Sequence, residues 1–184
     1  EINTPSRYGI QLWEVLIKNG NQFGLTPYGT EAMHVLRAER GFIIVGQETD
    51  GTVSPIDLGM DWIISKKKKD FIGKRSLERA SMKQNDRKEL VGLLSDDPNT
   101  VIPEGAHAID EKDLELEEKN ILGHVTSSYF SSNCKRSIAM ALIKNGRARK
   151  GNKLVIPLLN GDKIKAKIVN PVFFDPNGVR KNGI

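Results

Sequence analysis

The sequence has 184 residues, 38% of them hydrophobic, enough apolar material to bury the core of one large domain or two small ones. No apolar run approaches the roughly 20 residues a membrane-spanning helix requires, so no membrane partner is expected. The net charge of +5 could draw an anionic ligand, but aromatics are only 6% and do not interleave with the basic runs, which argues against a nucleic-acid partner.

From Thr4 to Gly20 the spacing of Ile10, Trp13, Leu16 and Ile17 predicts a helix, with Thr4 or Ser6 as cap, Pro5 in the first turn and Gly20 as the stop. A loop over Asn21 to Pro27 leads to a second predicted helix, Gly29 to Arg40, whose apolar side holds Ala32, Met33 and Leu36 and which Gly41 ends. Phe42 to Val45 reads as a short buried strand. A turn-rich stretch, Gly46 to Pro55, follows with Asp50-Gly51 as its clearest signal, then Leu58 to Ser65 with Trp62, the run Lys66 to Lys69, and a third helix over Lys74 to Lys83.

Beyond Gln84 to Arg87 the composition changes. Strands are predicted over Glu89–Leu94, Val101–Ile109, Ile121–Ser128, Ser137–Ile143, Lys153–Leu158 and Lys163–Val169, with turns at Pro103-Glu104-Gly105, Lys144-Asn145-Gly146 and Asn160-Gly161-Asp162. Short strands at this spacing argue for a compact antiparallel barrel or sandwich, and the acidic stretch Asp110 to Glu118 reads as an exposed insertion. The expected division is an α/β piece over 1–86 and an all-β module over 87–184.

One cysteine, Cys134, rules out an intrachain disulfide and a cysteine-cluster metal site and fits a reducing compartment, so a cytoplasmic location is expected. His34, His107 and His124 stand far apart without the spacing of metal ligands, and no metal is expected. The first residue is Glu1, no signal pattern follows it, and the opening reads as a cut within a longer chain.

The segment Leu36-Arg37-Ala38-Glu39-Arg40-Gly41-Phe42 resembles the L-R-L-E-x-G signature of the glycine cleavage T-protein superfamily, the tetrahydrofolate-dependent aminomethyltransferase fold. Ser54-Pro55, Trp62 in what the family forms as a strand, Lys66 to Lys69 and Phe71-Ile72-Gly73-Lys74 follow in that family's order. Gly123-His124-Val125-Thr126-Ser127-Ser128-Tyr129 is similar to the G-x-V-T-S motif of the family's terminal barrel, and Arg136 to Ala141 to the strand after it. The ending Pro171-Val172-Phe173-Phe174-Asp175-Pro176-Asn177-Gly178-Val179-Arg180 resembles the close of heterotetrameric sarcosine oxidase α subunits, with Asn170 where those carry an acid.

The resemblance implies an α+β fold: the C-terminal part of the folate-binding domain followed by an antiparallel β-barrel. It also implies that Glu39 holds a folate pterin, since one carboxylate accepts both hydrogen bonds of the ring's N–H and amine edge. Without the resemblance, a glutamate beside Arg37 and Arg40 at a helix end is a surface ion-pair member, and Arg37 supports Glu39 or the helix surface. Lys68 is nearest to the family's basic folate contact, a lysine here in place of the T-proteins' arginine. The whole run Lys66 to Lys69 suits the carboxylates of a folate tail or a solvated turn. Tyr28 and Trp62 would wall a flat ring or pack in a core.

No catalytic residue is expected in this chain. The family's aspartate lies upstream of the matched stretch, and no G-x-G-x-x-G fingerprint occurs. The resemblance implies tetrahydrofolate as the cofactor, with FAD, FMN and NAD in other parts of the complex. The implied partners are the rest of an α subunit and β, γ and δ subunits. The implied chemistry is capture of the one-carbon unit of sarcosine oxidation as 5,10-methylenetetrahydrofolate, with this portion alone inactive. A stand-alone aminomethyltransferase or related demethylase is the alternative.

Overall fold

The computed structural model describes residues 1–116 and 120–180; the last two residues of the acidic stretch Asp110 to Glu118 lie outside them. The chain forms two compact units, Glu1–Met33 and His34–Ile184. In the first, a 3-10 turn over Ser6–Tyr8 runs into helix α1, Gly9–Gly20, and a second 3-10 turn, Asn21–Phe23, closes on Gly24 in the left-handed region. Pro5, with φ −56°, has the backbone angle that starts a helical turn, so the helical course begins close to the predicted point. Helix α2, Thr30–Glu39, carries the chain into the second unit.

The second unit is built on a closed antiparallel barrel. Its strands are β1 (Lys88–Ser95), β2 (His107–Asp110), β3 (Ile121–Ser131), β4 (Arg136–Lys144), β5 (Lys153–Pro157) and β6 (Lys163–Val169). They close in the order β1-β4-β3-β2-β5-β6. Closure leaves no open sheet edge. The interior is filled by Val91, Leu93, Val125, Ala139, Ala141, Ile143, Leu154, Ile156, Ala166 and Ile168 with their neighbours, most at 0–2% exposure.

Strand composition records what covers each strand from outside. On β6, Lys163, Lys165 and Lys167 are exposed and alternate with buried Ile164, Ala166 and Ile168, the pattern of a strand with one wet face. On β4 every residue from Ser137 to Ile143 is buried. Its inward set is Ala139, Ala141 and Ile143. Its outward set, Ile138, Met140 and Leu142, joins Leu90 and Ala38 in a second core packed by Ile43, Val53, Leu58 and Phe173. The segment after α2 is thus laid on the outer wall of β1 and β4.

Four expectations need correction. Phe42–Val45 forms no strand, because its backbone closes turns instead: Phe42 N donates to Arg37 O, and Gln47 and Glu48 N donate to Ile44 O. The strand expected over Val101–Ile109 begins only at His107, since Pro103 and the left-handed Gly105 interrupt the ladder; Ile102 still reaches the core at 1% exposure. The third helix is a single turn, α3 (Lys74–Leu77), followed by a 3-10 turn at Ala80–Met82. It has no buried residue to anchor further turns. Trp62 sits in a 3-10 turn, Asp61–Ile63, and not in a strand.

Candidate functional site

The signature Leu36 to Phe42 is the last turn of α2 and its exit. Gly41 N donates to Ala38 O and Phe42 N to Arg37 O, both at 2.9 Å, a closure that needs the left-handed φ of +69° at Gly41. A Cβ there would also stand 2.7 Å from Pro171 O, so glycine is required twice over.

Arg37 and Glu39, two residues apart, leave the helix on different sides and do not pair. The Arg37 side chain, 9% exposed, turns to Glu48, which is fully buried, with Nη1 to Oε2 at 3.0 Å. Its Nη2 donates to Gln47 Oε1 at 2.9 Å and to Ser127 Oγ at 2.5 Å. Ser127 donates onward to Glu48 Oε1 at 2.5 Å, and Ile44 N donates to Glu48 Oε2 at 2.8 Å. The result is a buried, charge-assisted network tying α2, the 44–48 turn and β3.

Glu39 is 2% exposed and faces the β3–β4 turn. Ser131 Oγ donates to its Oε1 at 2.6 Å; Asn133 Nδ2 donates to Oε2 at 2.9 Å and Oε1 at 3.2 Å. Its backbone oxygen accepts from Phe173 N and Phe174 N, each at 2.9 Å. The next residue, Arg40, pairs with Asp175 at 3.4 Å and donates to Phe174 O. The surface ion pair that the residues alone suggest for Glu39 is absent among the described residues, and this carboxylate reaches its donors inside the protein.

Downstream, Asp57 fixes the 52–60 segment. Arg87 grips it bidentately, Nε to Oδ1 at 2.8 Å and Nη2 to Oδ2 at 2.5 Å, while Ser54 N donates to Oδ2 at 2.7 Å. Burial pushes the Asp57 carboxyl up, but the hydrogen bonds from Arg87 and Ser54 outweigh it and hold it below the usual carboxylate range. Arg147 Nη2 adds donations to Ile56 O and Asp57 O at 2.7 Å.

Two concavities flank this segment. A cleft of about 610 Å³ opens between residues 40–62 and the barrel, with Phe42, Met60 and Trp62 as its apolar wall and Lys150 and Asn170 at its edge. A shallower hollow of about 410 Å³ lies among Pro55, Ile63, Ile64, Phe71 and Leu77, with Lys68 on its lining. Trp62 is 74% exposed and Phe42 62%, so neither is a core residue here. Of the sequence-predicted residues, Trp62 lines the cleft, Lys68 the hollow, and Glu39 neither. Tyr28 belongs to the first unit and is 69% exposed. Glu48, Gln47, Ser131 and Asn133 were not legible as partners. A carboxylate inside a turn-rich polar stretch carries no sequence sign of burial, although Ser127 stood within the G-x-V-T-S-like motif.

The GCVT N-terminal domain matches residues 1–68, and the glycine cleavage T-protein C-terminal barrel domain matches residues 88–175. A sarcosine oxidase subunit alpha of Corynebacterium sp. (strain P-1) is 48% identical over all 184 residues, and that of Rhizobium meliloti (strain 1021) is 38% identical over 181. The chain spans 19% and 18% of the length of these two proteins. An aminomethyltransferase of Thermoanaerobacter pseudethanolicus is 31% identical over 180 residues, 96% of this chain and 45% of that one. The crystal structure of glycine cleavage system aminomethyltransferase T from Bartonella henselae superposes with a TM-score of 0.68 at 25% identity, covering 80% of this chain and 39% of that one.

Proposed function

We propose that this chain, which belongs to the glycine cleavage T-protein family, is the folate-binding portion of a sarcosine oxidase α subunit and helps tetrahydrofolate capture the one-carbon unit as 5,10-methylenetetrahydrofolate. The observation that carries the reading is identity of 48% along the entire chain to one sarcosine oxidase subunit alpha, against 31% to an aminomethyltransferase. The proposed division is the one drawn from the sequence, a folate-binding part over 1–86 and the barrel over 87–184. In this reading the catalytic aspartate, FAD, FMN and NAD belong to other parts of the complex, whose further α-subunit regions and β, γ and δ subunits are the partners. The chain acts in the cytoplasm and does not turn over substrate alone.

Chemically, this chain's residues bind and orient. Lys68, on the lining of an apolar hollow, offers an ammonium to a folate tail carboxylate, with Lys66, Lys67 and Lys69 exposed beside it. Tyr28 offers an exposed ring face. Glu39 is proposed to accept the N–H and amine edge of the pterin, and its bonds from Ser131 and Asn133 also seat the end of α2 against the barrel.

Isothermal titration of tetrahydrofolate into the α subunit tests these assignments. Lys68→Glu is expected to weaken binding by about tenfold, about 1.4 kcal/mol, with an unchanged thermal midpoint. Unchanged affinity removes Lys68 from the site, and no binding by the wild-type subunit overturns the folate reading. Glu39→Gln places a donor against Ser131 or Asn133 and is expected to lower stability by about 1–3 kcal/mol. A loss of folate affinity in the same variant supports Glu39 as a pterin contact, and unchanged affinity removes it from the site.

A further inference from the structure

Spacing along the chain separates the three histidines, but the barrel sets two of them face to face. His107 on β2 and His124 on β3 are register partners. Val125 N donates to Ala106 O at 2.9 Å, which makes 106/125 the hydrogen-bonded pair. His107/His124 then occupy the adjoining non-hydrogen-bonded position, where the Cβ atoms of an antiparallel pair come closest, within about 4.5–5.5 Å. Ala108 points into the barrel core, so its neighbour His107 and the partner His124 point out. His107 is exposed and His124 half-buried.

Charged groups of both signs stand beside the pair. Asp50 Oδ1 accepts from Thr52 N at 2.7 Å and Thr52 Oγ1 at 2.6 Å, and these bonds hold the Asp50 carboxyl below its usual range, leaving a fixed negative charge beside the pair. Asp50 and Lys88 face His124 from the 46–55 segment and from β1. Burial first, then the charges of Lys88 and His107, hold the His124 imidazolium below its usual range against the pull of Asp50.

We propose that His107 and His124 form a two-imidazole chelate for a divalent transition-metal ion of the zinc, nickel or copper class on the outer face of the barrel. Imidazole nitrogen suits these ions, whereas calcium and magnesium require oxygen ligands. Among the described residues no cluster of three or more His, Cys, Asp or Glu side chains could hold a metal ion, so water completes the shell and the ion exchanges with solvent. The ion crosslinks β2 to β3. β2 has only four residues, and its register with β3 is irregular between Ala108 and Ile109, so the ion ties a short strand to its neighbour.

The test is calorimetric titration of the 184-residue chain, freed of metal, with zinc chloride at pH 7.5 and pH 5, alongside thermal unfolding. Expected are one ion per chain and a midpoint raised by several degrees at saturating zinc, in wild type and in His34→Gln. Affinity should fall at least about tenfold in His107→Gln and in His124→Gln, the loss of one of two ligands. Binding at pH 5 should be weaker than at pH 7.5, because protons compete with the metal ion for imidazole nitrogen. Nickel added to the wild-type chain should broaden the ring-proton resonances of two histidines and spare the third, a readout that needs no variant. Zinc binding undiminished in the two variants, absence of binding, or equal broadening of all three rings would overturn the proposal.

Discussion

Replacing Glu48 by leucine removes the anion from a site where it is fully buried and where Arg37, at 9% side-chain exposure, has no other carboxylate among the described residues. Three interactions are lost at once: the ion pair at 3.0 Å, the acceptor for Ser127 Oγ and the acceptor for Ile44 N. Breaking a buried pair from one side costs about 3–5 kcal/mol, because the orphaned charge stays desolvated. For a domain of this size that corresponds to a thermal midpoint lower by about 6–20 °C. Urea unfolding followed by circular dichroism measures it directly. The double variant Arg37→Met/Glu48→Leu removes the stranded charge as well, and should cost less than the sum of the two single variants by more than about 1.5 kcal/mol. A loss below about 1 kcal/mol in Glu48→Leu, or additive single variants, would refute the claim that this pair is a desolvated, mutually dependent unit.

The Asp57–Arg87 clamp makes stability pH-dependent. The folded Asp57 carboxyl sits below its ordinary value, so its contribution is fully present above the unfolded value and is lost as pH falls through the lower folded one. Asp57→Asn should flatten that part of the acid-unfolding curve, as seen by comparing urea midpoints at pH 6 and pH 3. Gly123→Ala would put a Cβ 1.8 Å from Leu142 O, a clash with the backbone of the neighbouring strand. It should cost about 3 kcal/mol or more by thermal denaturation, while Gly29→Ala, with nothing within 4 Å, should be neutral or slightly stabilising.

Much of the barrel was legible because its strands carry strand-length apolar runs between turn residues. β1, β4, β5 and β6 fall within a residue or so of their expected bounds. What failed did so for local physical reasons. Phe42–Val45 has the composition of a buried strand but no edge to join in a closed barrel, and its carbonyls serve turns. Arg37 was expected to support Glu39 or the helix surface, yet side chains two apart on a helix diverge by more than half a turn, so their partners had to come from elsewhere in the chain. Glu48, Ser131 and Asn133 became partners only through the placement of the 44–48 turn and of the β3–β4 turn, which no spacing rule supplies. The histidine pair was invisible for the same reason: strand register, not sequence distance, decides which side chains meet.

The two amide donations from Phe173 and Phe174 to the Glu39 carbonyl also set an order of assembly. Their donors follow β6, the last strand, by several residues, and lie more than 130 positions beyond the acceptor. A ribosome emitting this chain therefore delivers the end of α2 long before the groups that secure it. Contacts of such sequence separation form late, because loop closure must be completed before they return any energy. The Leu36 to Phe42 signature should accordingly be among the last parts of the second unit to become protected in pulse-labelling hydrogen exchange, after the barrel strands have closed.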